Sequence, residues 1–287
     1  MMATGALLAE DWDVHRPRRA EGLTGLSVFI NTGAFMANDV HADFYSGRDD
    51  NANTIYRVLR SEQYGLGIWQ NLTTQNLITE AVGSYSVLTV DEFAHPEYRL
   101  AVQLGMGFRY DYEHWGWMFR FDYAKLTAAG AFLLSANNHT GILSDRDQYV
   151  RCGMFGEEER INFDFGLLKR FRLADVWNLE ICGGVNVCNV KVLSQKMEIA
   201  GVYYNILDVW DGHSPSAYTP EYEYINQGGI GVGEFAGLSL GYTIGHSEVD
   251  LGYTWYRTKV MLEGYDSYAP QNAVYVRFVV NDFSFFN

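Results

Sequence analysis

From Tyr98 to Leu126 apolar side chains recur at every second position. Leu100, Val102, Leu104, Met106, Phe108 and Tyr110 alternate with Arg99, Ala101, Gln103, Gly105, Gly107, Arg109 and Asp111. After Tyr112-Glu113-His114 the pattern resumes, with Trp117, Phe119, Phe121 and Tyr123 set against Met118, Arg120, Asp122 and Ala124. Successive side chains of a strand point to opposite faces, so this stretch is two strands and a tight turn. One of its faces is greasy and the other is charged. Any fold for this chain must decide which of the two meets water.

Composition agrees with strands. Of 287 residues, 15% are aromatic, with 20 Tyr, 17 Phe and 7 Trp, and only 5 are Pro. Aromatic and β-branched residues suit a pleated surface. Mean hydropathy is slightly negative, and no stretch approaches the ~18–20 uncharged apolar residues of a spanning helix. A formal net charge of -14 argues against nucleic acid as a partner, because nothing would neutralise phosphates. Cys152, Cys182 and Cys188 cannot all pair within the chain. Cys182 and Cys188 lie in one extended run, roughly 20 Å apart at about 3.3 Å per residue, which is too far for a disulfide. Neither C-x-x-C nor H-E-x-x-H occurs, so no metal and no cofactor are expected.

Eight segments alternate with period two, at about 26–36, 97–112, 115–134, 158–172, 176–192, 227–244, 247–262 and 272–285. Their connections are unequal. Tight ones fall near Glu113-His114, Leu173-Ala174-Asp175 and Gly245-His246. Long ones span about 37–96, 135–157 and 193–226, and one of middle length spans 263–271. Long and short alternate through the whole chain. That is the habit of a transmembrane barrel, whose periplasmic turns are short and whose extracellular loops are long. The first long loop holds helix: Ile55, Val58 and Leu59 share one face and Ile68, Trp69 and Leu72 another, with Asn53 or Thr54 as N-cap.

Three features turn the greasy face outward. The polar face is rich in glycine (Gly105, Gly107, Gly166, Gly184, Gly231, Gly233, Gly237, Gly241, Gly252), which fits the inside of a narrow barrel better than a solvated surface. The apolar face continues from strand to strand through Phe163, Phe165, Leu167, Leu179, Ile181, Leu238, Leu240 and Leu251. Tyr112, Trp115, Trp117, Trp177, Tyr242 and Tyr275 gather toward segment ends, as interfacial girdles do. The final run "NAVYVRFVVNDFSFFN" is alternating and aromatic, although Phe286 is penultimate rather than last.

On these residues the chain resembles the eight-stranded bacterial outer-membrane β-barrel family of the OmpA/OmpX type, over about residues 26–287, with no peptidoglycan-binding domain after the last strand. The resemblance is one of pattern and topology rather than of a specific motif. It implies an all-β, up-and-down antiparallel transmembrane barrel in the outer membrane, with both termini in the periplasm. Outer-membrane lipids and, during insertion, the barrel-assembly machinery would be its partners. Residues 1–25 form a separate N-terminal periplasmic segment, and MMATGALLAED reads as the remnant of a signal peptide.

An eight-stranded lumen is filled by side chains. Arg99, Arg109, Arg120, Arg170 and Arg277 are expected there against Asp111, Asp122, Asp164, Glu180, Glu248 and Asp250, paired as buried charges must be. Glu234 has the parity of its lipid-facing neighbours, so a bulge there, or a position above the membrane, is expected. The glycines of "GIGVGEFAG" do not form a dinucleotide loop, because a second alternating run follows them rather than a helix.

The function expected is structural or interactive, through displayed loops rather than catalysis. Trp69, Tyr203, Tyr204, Trp210, His213 and Ser214 are the candidate contact residues for a protein partner. The alternatives are a subunit of a larger secretion or assembly complex, a narrow pore, and a lipid-modifying enzyme. The last would need His213, Ser214 or His139 with Asp208 or Asp211, and no motif of the known lipid A acyltransferase or deacylase barrels is matched. The acidic pairs Asp49-Asp50 and Asp145-Asp147 read as solvated loops rather than calcium ligands.

Overall fold

A computed structural model describes residues 25–48, 54–61, 64–78, 87–137, 148–206 and 227–280. Among the described residues eleven strands form one antiparallel sheet. They are β1 (Gly25–Met36), β2 (Val87–Glu92), β3 (Glu97–Tyr98), β4 (Ala101–Tyr112), β5 (Trp115–Asn137), β6 (Gln148–Arg172), β7 (Trp177–Ile199), β8 (Val202–Asn205), β9 (Ile230–Ile244), β10 (Ser247–Val260) and β11 (Ser267–Val280). Eight of them close a ring, in the order β1, β4, β5, β6, β7, β9, β10, β11 and back to β1.

Register fixes the shape of the ring. Starting from Ile161 of β6, the paired residues are Tyr123, Leu104, Thr32, Val276, Leu251, Leu240 and Leu179. The path returns to β6 at Phe171, ten residues along. A shear of ten over eight strands tilts the strands by about 40° from the barrel axis, given strand spacings near 4.8 Å.

Burial along each strand answers the question of the two faces. Leu100, Leu104, Phe165 and Leu251 point outward and are 70%, 56%, 59% and 60% exposed. Arg109, Arg120 and Arg277 point inward and are fully buried. A soluble barrel arranges these classes the other way round. The architecture is that of a transmembrane β-barrel. Tyr112, Trp115, Trp177 and Tyr242 stand exposed near the short-turn end, where girdle residues belong. Tyr275 does not join them. It is buried in the lumen, with the guanidinium carbons of Arg120 and Arg277 5.4 and 5.7 Å from its ring. Position 275 shares the parity of Arg277 and Ala273, so a charged neighbour decides its face and its closeness to the strand end does not.

The bulge expected at Glu234 is absent. Both pairings of β9 run through it without a shift, and the carboxylate faces outward.

Three strands exceed the sequence pattern. β5, β6 and β7 run for 23, 25 and 23 residues, whereas about 9–11 suffice to cross a bilayer. Their far halves continue past the barrel as a sheet edged by β2 and β8. There the parity rule inverts. Phe132, Leu134, Val150, Cys152, Met154, Met197 and Ile199 point inward, and Arg151 and Lys191 point outward. Two helices, α1 (Ile55–Leu59) and α2 (Gly65–Thr74), fill the concave face with Ile55, Val58, Ile68 and Leu72. Thr54 caps α1 through its Oγ1, which accepts from Tyr56 N at 3.2 Å. The first long loop therefore builds a small apolar-cored platform beside the mouth. The mouth itself is closed by a different piece, a 3-10 helix over Asp39–Ser46 whose His41, Ala42, Phe44 and Tyr45 are buried.

Candidate functional site

The inward side chains form three layers along the lumen. Nearest the short turns, Arg109 reaches Asp111 at 3.2 Å, Glu180 at 3.0 Å and Glu248 at 2.6 Å. Arg277 reaches Glu180 and Asp250, each at 2.6 Å. Arg170, at the rim, contacts Glu248 at 2.5 Å and Asp111 at 3.5 Å. These residues come from β4, β6, β7, β10 and β11, so one charge lattice ties together strands far apart in sequence.

The middle layer centres on Arg120. Its guanidinium lies 2.9 Å from Asp122 and 2.5 Å from Asp164, and donates to the Tyr256 hydroxyl at 2.8 Å and to Thr254 Oγ1 at 3.2 Å. Asn31 donates to Asp122 at 2.7 Å, and Asn186 donates to Asp164 at 2.6 Å. Space is tight here, and a Cβ on Gly105 would fall 1.9 Å from Asp122 Oδ1. That accounts for a glycine at an inward position of β4.

The third layer underlies the 3-10 helix. Arg160 Nε lies 2.5 Å from Glu158 Oε1, and its Nη2 and Nη1 donate to the Tyr98 hydroxyl and to Gln271 Oε1. Tyr45 and Tyr98 both donate to Glu158 Oε2, at 2.8 and 3.0 Å. Burial, reinforced by the Glu158 charge, pushes both phenols well above their ordinary range. Gly156 makes room for this contact, since a Cβ there would lie 2.2 Å from the Tyr45 ring. His41 sits beside the layer with its Nε2 3.3 Å from Ser267 O. Burial, with Arg160 adding to it, lowers its pKa to about 4, so the imidazole is neutral when docked.

Ten of the eleven residues expected in the lumen are brought together: Arg109, Asp111, Arg120, Asp122, Asp164, Arg170, Glu180, Glu248, Asp250 and Arg277. Arg99 is not among them. It is exposed between β3 and β4, where its backbone N–H donates to Thr127 O. The strand that would have set its parity is interrupted at Arg99-Leu100. Glu158 and Arg160 were missed, although they share the parity of Asp164. The run Glu157-Glu158-Glu159-Arg160 has the look of a solvated surface when read without parity.

The loop candidates divide. Tyr203 is 61% exposed, and its ring lies 5.9 Å from that of Phe155. With Glu157, Ser194, Lys196 and Asn205 the two line an open groove of about 420 Å³ on the outer face of β6, β7 and β8. Tyr204 is buried instead, its ring 5.6 Å from Tyr64, because the strand period turns it to the platform core. Trp69 packs half-buried against that core. Trp210, His213 and Ser214 lie outside the described residues, as do Asp49-Asp50, His139, Asp145 and Asp147.

The lattice ties strands far apart in sequence to one another through buried charge pairs. Among the described residues no group of three His, Cys, Asp or Glu is placed to hold a metal ion.

No family model and no curated protein sequence matches the chain. Among solved structures it is similar to Neisserial surface protein A at 7% identity, over 90% of this chain and 98% of that one, with a TM-score of 0.38. It is similar to the attachment invasion locus protein Ail of Yersinia pestis, solved with a heparin analogue, at 8% identity over 90% and 97%, with a TM-score of 0.33. It is also similar to the outer membrane protein OprG of Pseudomonas aeruginosa at 8% identity over 90% and 94%, with a TM-score of 0.36.

Proposed function

We propose that this chain is an integral bacterial outer-membrane barrel that works without catalysis, as a rigid post carrying an extracellular interaction platform. The observation that supports this most directly is the inverted burial, an apolar outer belt around a lumen of buried arginines and carboxylates. Charge enclosed by strands whose outer faces are Leu, Phe and Val suits lipid and not water. The three ion-paired layers and the Tyr45 plug make the lumen a filled core rather than a conduit. In this reading the short turns and both termini face the periplasm, and lipids surround the belt. The groove around Phe155 and Tyr203 is the surface left for a protein partner outside.

The test combines three measurements on the protein in outer-membrane fractions. Its band is expected to shift on boiling before SDS-PAGE, its purified form to give no steady conductance in planar bilayers, and a tag inserted at Gly201 to be reached by antibody on intact cells. Extraction from the membrane by carbonate, a steady single-channel current, or a tag reached only after lysis would each refute the corresponding part.

A further inference from the structure

The groove on the outer face of β6, β7 and β8 is built by an irregularity in the ladder. Glu157 pairs with Ser194 but Glu158 pairs with Val192, so Leu193 of β7 is left over as a bulge. Bulges re-aim side chains. On the barrel side of it Lys191 is exposed and Val192 is buried. Beyond it the parity flips, and Ser194 and Lys196 face outward while Gln195 and Met197 are buried. The turn Ala200-Gly201, with φ of 51° and 79°, then folds β8 back and brings Tyr203 beside Phe155. Gly153 gives the floor its room. A Cβ there would lie 2.7 Å from the Phe155 ring, so that ring lies along the wall. The two rings meet at 54°. Lys196 is exposed and is the cross-strand partner of both Phe155 and Asn205. Glu157 is held in place by Lys125, whose Nζ lies 3.0 Å from its Oε2. The Lys125–Glu157 pair and the hydrogen bond from Tyr123 to Glu159 separate the groove from the apolar belt.

We infer that this groove binds a neutral hexose ring, and that the partner outside is recognised through a glycan it carries. The charges select by elimination. An anion would meet Glu157 and, two residues along β7 from Lys196, Glu198. A cation would meet Lys196. An apolar side chain would strip water from both signs and leave them unmatched. A peptide backbone finds no ladder to join on the floor, because the N–H and C=O groups of β6 and β7 are already paired there. A sugar hydroxyl donates and accepts at once, so neighbouring hydroxyls satisfy an ammonium and a carboxylate set side by side, with Ser194 able to do either. The C–H face of a pyranose is flat and apolar, and it fits on the rings of Phe155 and Tyr203. The volume of about 420 Å³ belongs to a small ligand, toward the low end of the roughly 300–1,000 Å³ usual for such sites. The inference rests on the membrane reading above, which puts this face outside the cell.

The test uses the folded protein in phospholipid nanodiscs with the methyl glycosides of glucose, galactose and mannose, read by saturation-transfer NMR. At least one glycoside should receive transfer at its ring C–H protons. Tyr203→Ala should weaken its binding about tenfold and Lys196→Ala severalfold, whereas Tyr203→Phe keeps the ring and should bind as the parent does. Each variant should keep the parental band shift on boiling, which separates a lost site from a lost fold. A heat-modifiable protein that takes none of the glycosides overturns the proposal. So does binding that Tyr203→Ala leaves unchanged, or a preference for sulfated sugars that salt abolishes, since charge alone would then account for it. Cells displaying the chain should also capture beads coated with the glycoside that binds. If the purified protein binds it and the cells capture nothing, the groove serves sugars of the cell's own membrane and the partner assignment falls. A chain that is neither membrane-bound nor heat-modifiable refutes the membrane reading itself.

Discussion

Arg120→Leu should be among the most damaging single changes in the barrel wall. The side chain is fully buried and supplies the guanidinium of the middle layer, within 2.9 Å of both Asp122 and Asp164. Without it, two carboxylates share a desolvated box. Asn31 and Asn186 still donate to them, but no cation remains in the layer. Breaking a buried ion pair from one side costs about 3–5 kcal/mol, because the charge left behind keeps its desolvation penalty. Removing the whole set should cost far less, since a buried triad replaced by groups of similar volume is often neutral. Arg120→Leu/Asp122→Asn/Asp164→Asn should therefore recover most of the loss. Urea titration of the protein in lipid vesicles, read by tryptophan fluorescence and by the boiled-against-unboiled band shift, measures both. The reasoning fails if the single variant lies within about 1 kcal/mol of the parent, the range of solvated pairs. It also fails if the triple variant is as unstable as the single one.

Two further outcomes follow from the mouth and the platform. His41 has a docked pKa of about 4 against 6.5 when free. Undocked, it therefore binds a proton that the docked form refuses, so docking of residues 39–46 is at full strength above about pH 6.5. It weakens as pH falls toward 4, by up to about 3 kcal/mol, and hydrogen exchange of this segment at pH 7 and pH 5 should show the loss in the parent and not in His41→Gln. Leu72→Ala empties part of the platform core, at a cost of about 2–5 kcal/mol. Amide protection across 55–74 should fall while the heat-modifiable band persists, and loss of that band would show that platform and barrel are one cooperative unit.

Period two is enough to place Arg109, Asp122 or Glu180 in the lumen, because one parity assignment per strand carries every residue along it. It fails wherever its premise does. At Arg99 the strand is broken, so parity does not carry through. At Tyr275 the interfacial preference of an aromatic competes with parity, and parity prevails. Beyond the belt the environment changes while the strand continues. Val150, Cys152 and Met154 are inward and apolar, the reverse of Asp164 and Arg170 on the same strand. Such a run looks like a loop to a pattern built on lipid outside, which is why β6 was expected to start near 158. The groove beside Tyr203 depends on β8 folding back on β7 through the two-residue Ala200-Gly201 turn, a hairpin that lies inside what the alternation pattern reads as one long loop.

The unbroken ladder between β5 and β6 runs from Trp115↔Lys169 to Ala136↔Gln148. Platform and spanning wall are thus two ends of the same strands, with no hinge between them. If the platform is the extracellular hook proposed above, a partner that tugs it away from the cell pulls at about 40° to these strands, so most of the load falls along them and on their hydrogen bonds in shear. To detach by unzipping one bond at a time, the platform would have to be peeled sideways. On that reading anchor and hook are continuous, and a force applied at the platform is borne by the barrel's own backbone.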